Sequence, residues 1–233
     1  MTTSALPFRV LLICVAVLWS PLNAAEVPFN AGREALKSSV VLPRLSVQGN
    51  RFVNPAGEVV VLRGLALSDP AELLRKGQWN RGYFEAAKSW NANVVRVPVH
   101  PADWRRLGTE GYLKHLDEAV EWSGELGIYV IIDWHTIGNI LTGVYHRPMY
   151  ITSRDETFRF WNTIARRYKD NPVVAMYELF NEPTNQEGTM GRLPWPEYKA
   201  CIEELIYMIR KIDAQAIPLV AGFNWGYDLT HVR

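Results

Sequence analysis

The stretch Val173-Val174-Ala175-Met176-Tyr177-Glu178-Leu179-Phe180-Asn181-Glu182-Pro183 decides the fold. It opens as an apolar run of strand length, rich in β-branched and aromatic residues. It ends abruptly in Asn-Glu-Pro. Near-continuous apolar runs belong to strands buried on both faces, as in parallel sheets covered by helices. The polar pair then falls at the carboxyl end of the strand, where parallel α/β folds bind ligands and do chemistry. Pro183 cannot donate to a ladder, so it stops the strand and leaves Glu182 at the rim. Glu182 is therefore the first catalytic candidate. The plainer alternative is a strand-end carboxylate that caps the next turn.

Outward from this strand, strands and helices alternate. Upstream, Asn93-Val94-Val95-Arg96-Val97-Pro98-Val99-His100 and Ile128-Tyr129-Val130-Ile131-Ile132-Asp133-Trp134-His135 read as strands. Downstream, Ile217 to Gly222 reads as another, despite Pro218. Between them, Tyr83, Phe84, Ala87 and Trp90 share one helical face, and Leu113, Leu116, Val120 and Ser123 mark a second helix closed by Gly127. Ser153-x-x-Glu156 is a capping box that opens a third helix, through Phe158, Trp161, Ala165 and Tyr168. Pro196 suits the first turn of a fourth, with Tyr198, Ile202, Leu205, Ile206 and Ile209 inward. Earlier still, Leu45 to Val53 and Glu58 to Gly64 flank Asn54-Pro55-Ala56-Gly57 as a hairpin, and the second run leads into a first barrel strand. This order implies a parallel sheet with crossover helices, the α/β class.

The strand ends gather a distinctive set of groups. Arg96 interrupts one apolar run, Asp133-Trp134-His135 ends the next, Asn181-Glu182 the next, and Asn224-Trp225-Gly226-Tyr227-Asp228 follows the last. In a (β/α) barrel these converge on one mouth. Carboxyl, amide, imidazole, guanidinium and indole groups together suit a glycosidic bond. Its hydrolysis needs a proton donor for the leaving oxygen and a second carboxylate across the sugar. Indoles stack on pyranose faces; amide and imidazole groups bond hydroxyls. Arg96 lowers the pKa of a neighbouring carboxylate, while burial raises that of another. Arg96 also reads as an ion-pair partner for Asp133 or Glu178, Trp134 as core, and His100 as part of a solvated loop. His100, His115, His135, His146 and His231 lack metal-ligand spacing, so no metal is expected. No phosphate loop or Gly-x-Ser-x-Gly elbow follows a strand, which excludes nucleotide enzymes and α/β-hydrolase esterases.

These residues resemble glycoside hydrolase family 5, the cellulase family of retaining (β/α)8 enzymes. Leu179-Phe180-Asn181-Glu182-Pro183 matches its signature. The resemblance implies that Glu182 is the general acid/base and that Asn181 binds the sugar 2-hydroxyl. It makes Arg96, in Val-Val-Arg-Val-Pro-Val, and His135, in Ile-Ile-Asp-Trp-His, substrate-site residues, with Trp134 and Trp225 as candidate sugar contacts. Leu62-Arg63-Gly64 looks like the family's first strand. It also implies a TIM barrel truncated after about five strands, because a complete barrel takes ~250 residues and eight strand–helix units. The family's His-x-Tyr, nucleophile glutamate and platform tryptophan belong to later strands and have no counterpart up to Arg233; His231 falls too early. Retention needs two carboxyl groups ~5–5.5 Å apart. Glu178, on the Glu182 strand, is read as unable to face Glu182 across a sugar. The expectation is therefore an amino-terminal fragment of a secreted endo-β-glycanase, inactive alone; the alternative is an inactive carbohydrate-binding protein.

The remaining features fit export. Arg9 precedes the apolar run Val10 to Trp19, which is too short to span a bilayer, and Ser20-Pro21-Leu22-Asn23-Ala24-Ala25 supplies small residues for cleavage. Residues 1–25 read as a signal peptide, 26–44 as a linker or arm, and 45–233 as the partial catalytic domain. Cleavage leaves Cys201 as the only cysteine, so no intrachain disulfide forms. Over 233 residues, hydrophobic content of 48% with 21% charged residues describes a globular chain. A net charge of +1 with no basic stripe excludes nucleic acid. The expected protein is a secreted or periplasmic monomer without cofactors, free of the membrane after cleavage, whose partner is a polysaccharide or oligosaccharide.

Overall fold

The computed structural model describes residues 41–231, so the signal segment and most of the arm lie outside the described residues. The elements are β1 (Ser46–Gln48), β2 (Arg51–Val53), β3 (Val59–Val60), β4 (Gly64–Ala66), α1 (Pro70–Arg75), α2 (Arg81–Ser89), β5 (Val94–Val99), α3 (Pro101–Leu107), α4 (Thr109–Leu126) and β6 (Tyr129–Trp134). There follow β7 (Ile137–Gly138), α5 (Arg154–Tyr168), β8 (Val174–Glu178), β9 (Glu182–Pro183), α6 (Trp195–Ile212) and β10 (Pro218–Leu219). The central sheet is parallel and runs β10-β8-β6-β5-β4, which is chain order. β4 and β10 are its edges, and Pro218 is tolerated because it lies on one of them.

Strand parity divides the chemistry. Val95, Val97, Val99, Val130, Ile132, Trp134, Tyr177 and Leu179 pack with helical residues such as Phe84, Leu116, Trp161 and Leu205. The alternate positions Val94, Tyr129, Ile131 and Met176 form a second cluster with Leu42, Leu45, Phe52 and Val60. Arg96, Asp133 and Glu178 share this second face, since Pro98 pairs with Asp133 and Asp133 with Glu178. The apolar layer thus lies toward the strand starts and the ionic layer toward the strand ends.

Four local expectations change. The run Leu45–Val53 is itself a hairpin, β1 and β2, turning at Gly49 with φ +60°. The run Glu58–Gly64 splits: β3 joins that small antiparallel sheet, and the first parallel strand starts at Gly64. Gly64 is required there, because a Cβ would come within 1.7 Å of the Val94 carbonyl oxygen. Trp90, expected inward, ends α2 and is 73% exposed. The Ser153 cap forms, with its hydroxyl accepting from the Glu156 amide at 3.1 Å. Glu156 does not return the bond; its carboxylate takes Arg105 instead.

Candidate active site

The ionic layer is built around Arg96. Its Nε donates to Glu178 Oε2 at 2.6 Å and its Nη2 to Glu178 Oε1 at 2.9 Å, a two-pronged pairing that fixes both groups. Nη2 also donates to Asn181 Oδ1 at 2.7 Å and lies 2.8 Å from Asp133 Oδ2. One guanidinium thus joins β5, β6, β8 and the segment carrying Glu182. Burial opposes the Arg96 charge, but Glu178 and Asp133 more than offset it and strengthen its hold on the proton. Because Asn181 Oδ1 is on Arg96, its Nδ2 is turned the other way, where it has no protein acceptor. That is a donor ready for a hydroxyl oxygen.

His135 follows β6 and carries the second contact. Its Nδ1 lies 2.6 Å from Asp133 Oδ2, which is also 2.8 Å from Arg96 Nη2. With Nδ1 on Asp133, Nε2 is the ring nitrogen left for a ligand. Burial, followed by the nearby His100 and Arg96 charges, pushes the His135 pKa down to about 4, so the ring is neutral near pH 7. Asp133 is fully buried. Burial and Glu178 push its carboxyl well above the usual carboxylate range, with Arg96 pulling the other way.

Glu182 sits half-buried in the two-residue ladder β7·β9, and its amide donates to the Thr136 carbonyl at 3.0 Å. Its charge is felt at Arg96, Asp133 and His135. The structure therefore brings Arg96, His135, Asn181 and Glu182 to one place. Glu178 is half-buried and pairs with Arg96 at the mouth, the ion pair the sequence offered as the plainer role of that arginine.

Trp134 is a correction. By strand parity it faces the helices: it is wholly buried, stacks on Phe160 at 4.0 Å, and its Nε1 donates to Thr157 Oγ1 at 3.2 Å. It cannot touch a sugar at the mouth. Trp225 is half-buried on the hairpin Phe223–Asp228, with φ +57°, an unusual backbone for a large side chain. It lines a groove of about 520 Å³ with Asn185, Gln186, Thr189 and Asn224, and its amide donates to the Pro183 carbonyl at 3.3 Å. His231 stacks on Trp195 instead, at 5.8 Å.

Sequence reasoning missed the second layer. His100, expected in solvent, is buried against His135; Asp69 accepts from its amide and is itself held by the Tyr112 hydroxyl. Asp69 lies 31 residues before His100 and 43 before Tyr112, so no local pattern joins them. Tyr150, on the loop after β7, packs on both histidines. Among the described residues, Asp69, His100 and Asp103 are the one group with donor atoms close enough to hold a metal, within 4.8 Å of one another. Protein donors already fill it. Asp103 Oδ1 accepts from Arg75 and Arg106, and Asp69 from Ala71, His100 and Tyr112. Two guanidiniums beside it disfavour a cation.

The arrangement is a parallel-sheet mouth holding an acid group, an oriented amide and a neutral imidazole, the kit of a barrel glycoside hydrolase. The family comparison agrees: residues 53–233 match the cellulase model, glycosyl hydrolase family 5, and the chain belongs to that family. Its sheet and helices are a part of that family's α/β barrel. Endoglucanase A of Butyrivibrio fibrisolvens is 29% identical over 201 residues, covering 81% of this chain and 41% of that protein. A β-glucanase of Saccharophagus degradans in its native form superposes with a TM-score of 0.81 at 45% identity, covering 84% of this chain and 60% of that one. Its cellotetraose complex gives 0.80 at 47% identity, covering 83% and 58%. The chain thus spans less than two thirds of the length of these relatives.

Proposed function

We propose that this chain forms the acid/base part of a retaining endo-β-glycanase that cleaves β-1,4-linked glucan or a related polysaccharide. Glu182 protonates the leaving glycosidic oxygen and later deprotonates the incoming water. Asn181 Nδ2 and His135 Nε2 bond hydroxyls of the sugar at the cleavage point, and Arg96 keeps both in place. Trp225 offers an indole face to a neighbouring ring. The observation that carries this reading is the Arg96–Asn181 bond at 2.7 Å, which fixes the amide one residue before Glu182 with its Nδ2 buried and lacking an acceptor among the described residues. The relatives' names support the substrate class, and the cellotetraose complex of the S. degradans β-glucanase supports a linear β-glucan. Retention also needs a second carboxylate across the sugar, and the chain covers 60% of that structure. The apolar run Val10–Trp19 supports export of the protein, which acts as a monomer.

The test is Glu182→Gln in the complete reading frame, assayed on cello-oligosaccharides. Turnover should fall by roughly 10²–10⁴-fold with KM nearly unchanged, the loss expected of a missing proton donor. Equal turnover for variant and parent removes Glu182 from the mechanism. No cleavage of any β-glucan by the parent, with oligosaccharide binding retained, favours the inactive binding protein.

A further inference from the structure

His100 has no part in the acid/base chemistry, yet its side chain is only 8% exposed and stands against His135. The two residues end neighbouring strands, and the His135 amide donates to the Val99 carbonyl at 3.0 Å. Their rings meet edge to face, with centroids 4.9 Å apart and planes at 82°. Tyr150 closes a third side, 5.3 Å from His100 and 5.8 Å from His135.

His100 is itself clamped. Asp69 Oδ2 accepts from the His100 amide at 2.7 Å and from the Tyr112 hydroxyl at 2.7 Å, while Oδ1 accepts from the Ala71 amide at 2.6 Å. Asp69 is wholly buried, and its Oδ2 lies 3.1 Å from His100 Nδ1, an ionic contact without hydrogen-bond geometry. Against its burial, the bonds from His100 and Tyr112 hold the Asp69 carboxyl below the usual carboxylate range, so it stays a fixed anion.

His135, by contrast, has a single polar side-chain tether among the described residues, Nδ1 on Asp133. The last torsion of a histidine side chain is broad. One bond at one corner leaves the ring free to rock about it. The edge of His100 and the face of Tyr150 stop that motion. We propose that His100 is a positioning residue for His135: clamped by Asp69, it holds the imidazole in the plane that presents Nε2 to a sugar hydroxyl, an inference that rests on the glycanase reading for its ligand alone.

The test is a double-mutant cycle in the complete enzyme, with cellopentaose as substrate and ring-nitrogen NMR of His135 alongside. His100→Ala should lower kcat/KM roughly tenfold in the parent, within the range of contacting pairs, mainly by raising KM. In a His135→Ala background the same change should cost under about twofold. The His135 nitrogen shifts should move from one tautomer toward an average of two. His100 stands at the N-cap of α3 without a side-chain cap bond, and His100→Asn suits that position while carrying no ring, so it separates the ring's role from local helix stability. It should behave like His100→Ala. Equal losses in both backgrounds, parent-like behaviour of His100→Asn, or unmoved His135 shifts would each overturn the assignment. If the complete protein cleaves no glucan, the glycanase reading fails, and the NMR comparison alone decides the role of His100.

Discussion

The sheet treats buried charge differently at its two ends. At the strand ends, one guanidinium, Arg96, faces Asp133 and Glu178 directly and Glu182 at longer range. At the strand starts, where Asp213 precedes β10, Arg44 meets one carboxylate at 3.5 Å, and Asp213 also accepts from the Gln215 amide at 3.2 Å. The second site pairs one cation with one anion beside the apolar cluster of Leu45, Tyr129 and Met176, and leaves Arg44 Nη2 buried without a partner among the described residues. The first is crowded with acid groups, and it leaves Asp133 Oδ1 and Asn181 Nδ2 unmet. A polar atom buried without a partner lowers stability by about 1–3 kcal/mol. Such costs persist where a ligand supplies the missing partner. The strand starts hold the fold; the strand ends trade stability for readiness.

That contrast can be broken at three sites in the complete protein, taken from the largest expected effect to the smallest. Arg96→Met strands two carboxyls, one of them wholly buried, and should lower unfolding stability in urea by about 3–5 kcal/mol. A loss below about 1 kcal/mol would mean that the crowding at the mouth carries no energy. The second test is pH. The His135 pKa falls from 6.5 in the unfolded chain to about 4 in the fold. Above 6.5 both states are neutral there, and nothing depends on pH. Between 6.5 and 4 only the unfolded chain takes the proton, so stability falls as pH falls, by up to about 3 kcal/mol from this residue. His135→Gln should flatten that part of the stability–pH curve; an unchanged slope would assign it to other groups. The mildest is Arg44→Met. Asp213 keeps its backbone donor, and Arg44 is 22% exposed, so the loss should be about 1 kcal/mol or less by the same urea measurement. A loss as large as that of Arg96→Met would erase the difference between the ends.

Much of this was readable from sequence because parallel strands write their ends plainly. The five-strand order and the meeting of Arg96, His135, Asn181 and Glu182 follow from apolar runs that stop at polar residues. Trp134 was also within reach. Counting alternate positions back from it along Ile132 and Val130 puts it on the helical face, where it lies. Glu178 yields to the same count from the other side: it shares parity with Met176 and ends beside Arg96. What stayed hidden was set by distance along the chain. His100 looks like any residue before a proline, and only folding brings Asp69 and Tyr112 to it. The hairpin at Gly49 was missed because three-residue strands are too short to show a period.

The two-residue ladder beneath Glu182 has a practical consequence. Glu182 and Pro183 pair with Ile137 and Gly138, and the Thr184 amide donates to the Gly138 carbonyl at 2.9 Å. Gly138 has φ +117°, and a Cβ there would come within 2.6 Å of the Val144 carbonyl oxygen. The acid group and the tyrosine-bearing loop from 139 to 151 are therefore stitched together at the backbone. A swap of that loop therefore also shifts the backbone that carries Glu182, so the two cannot be altered independently.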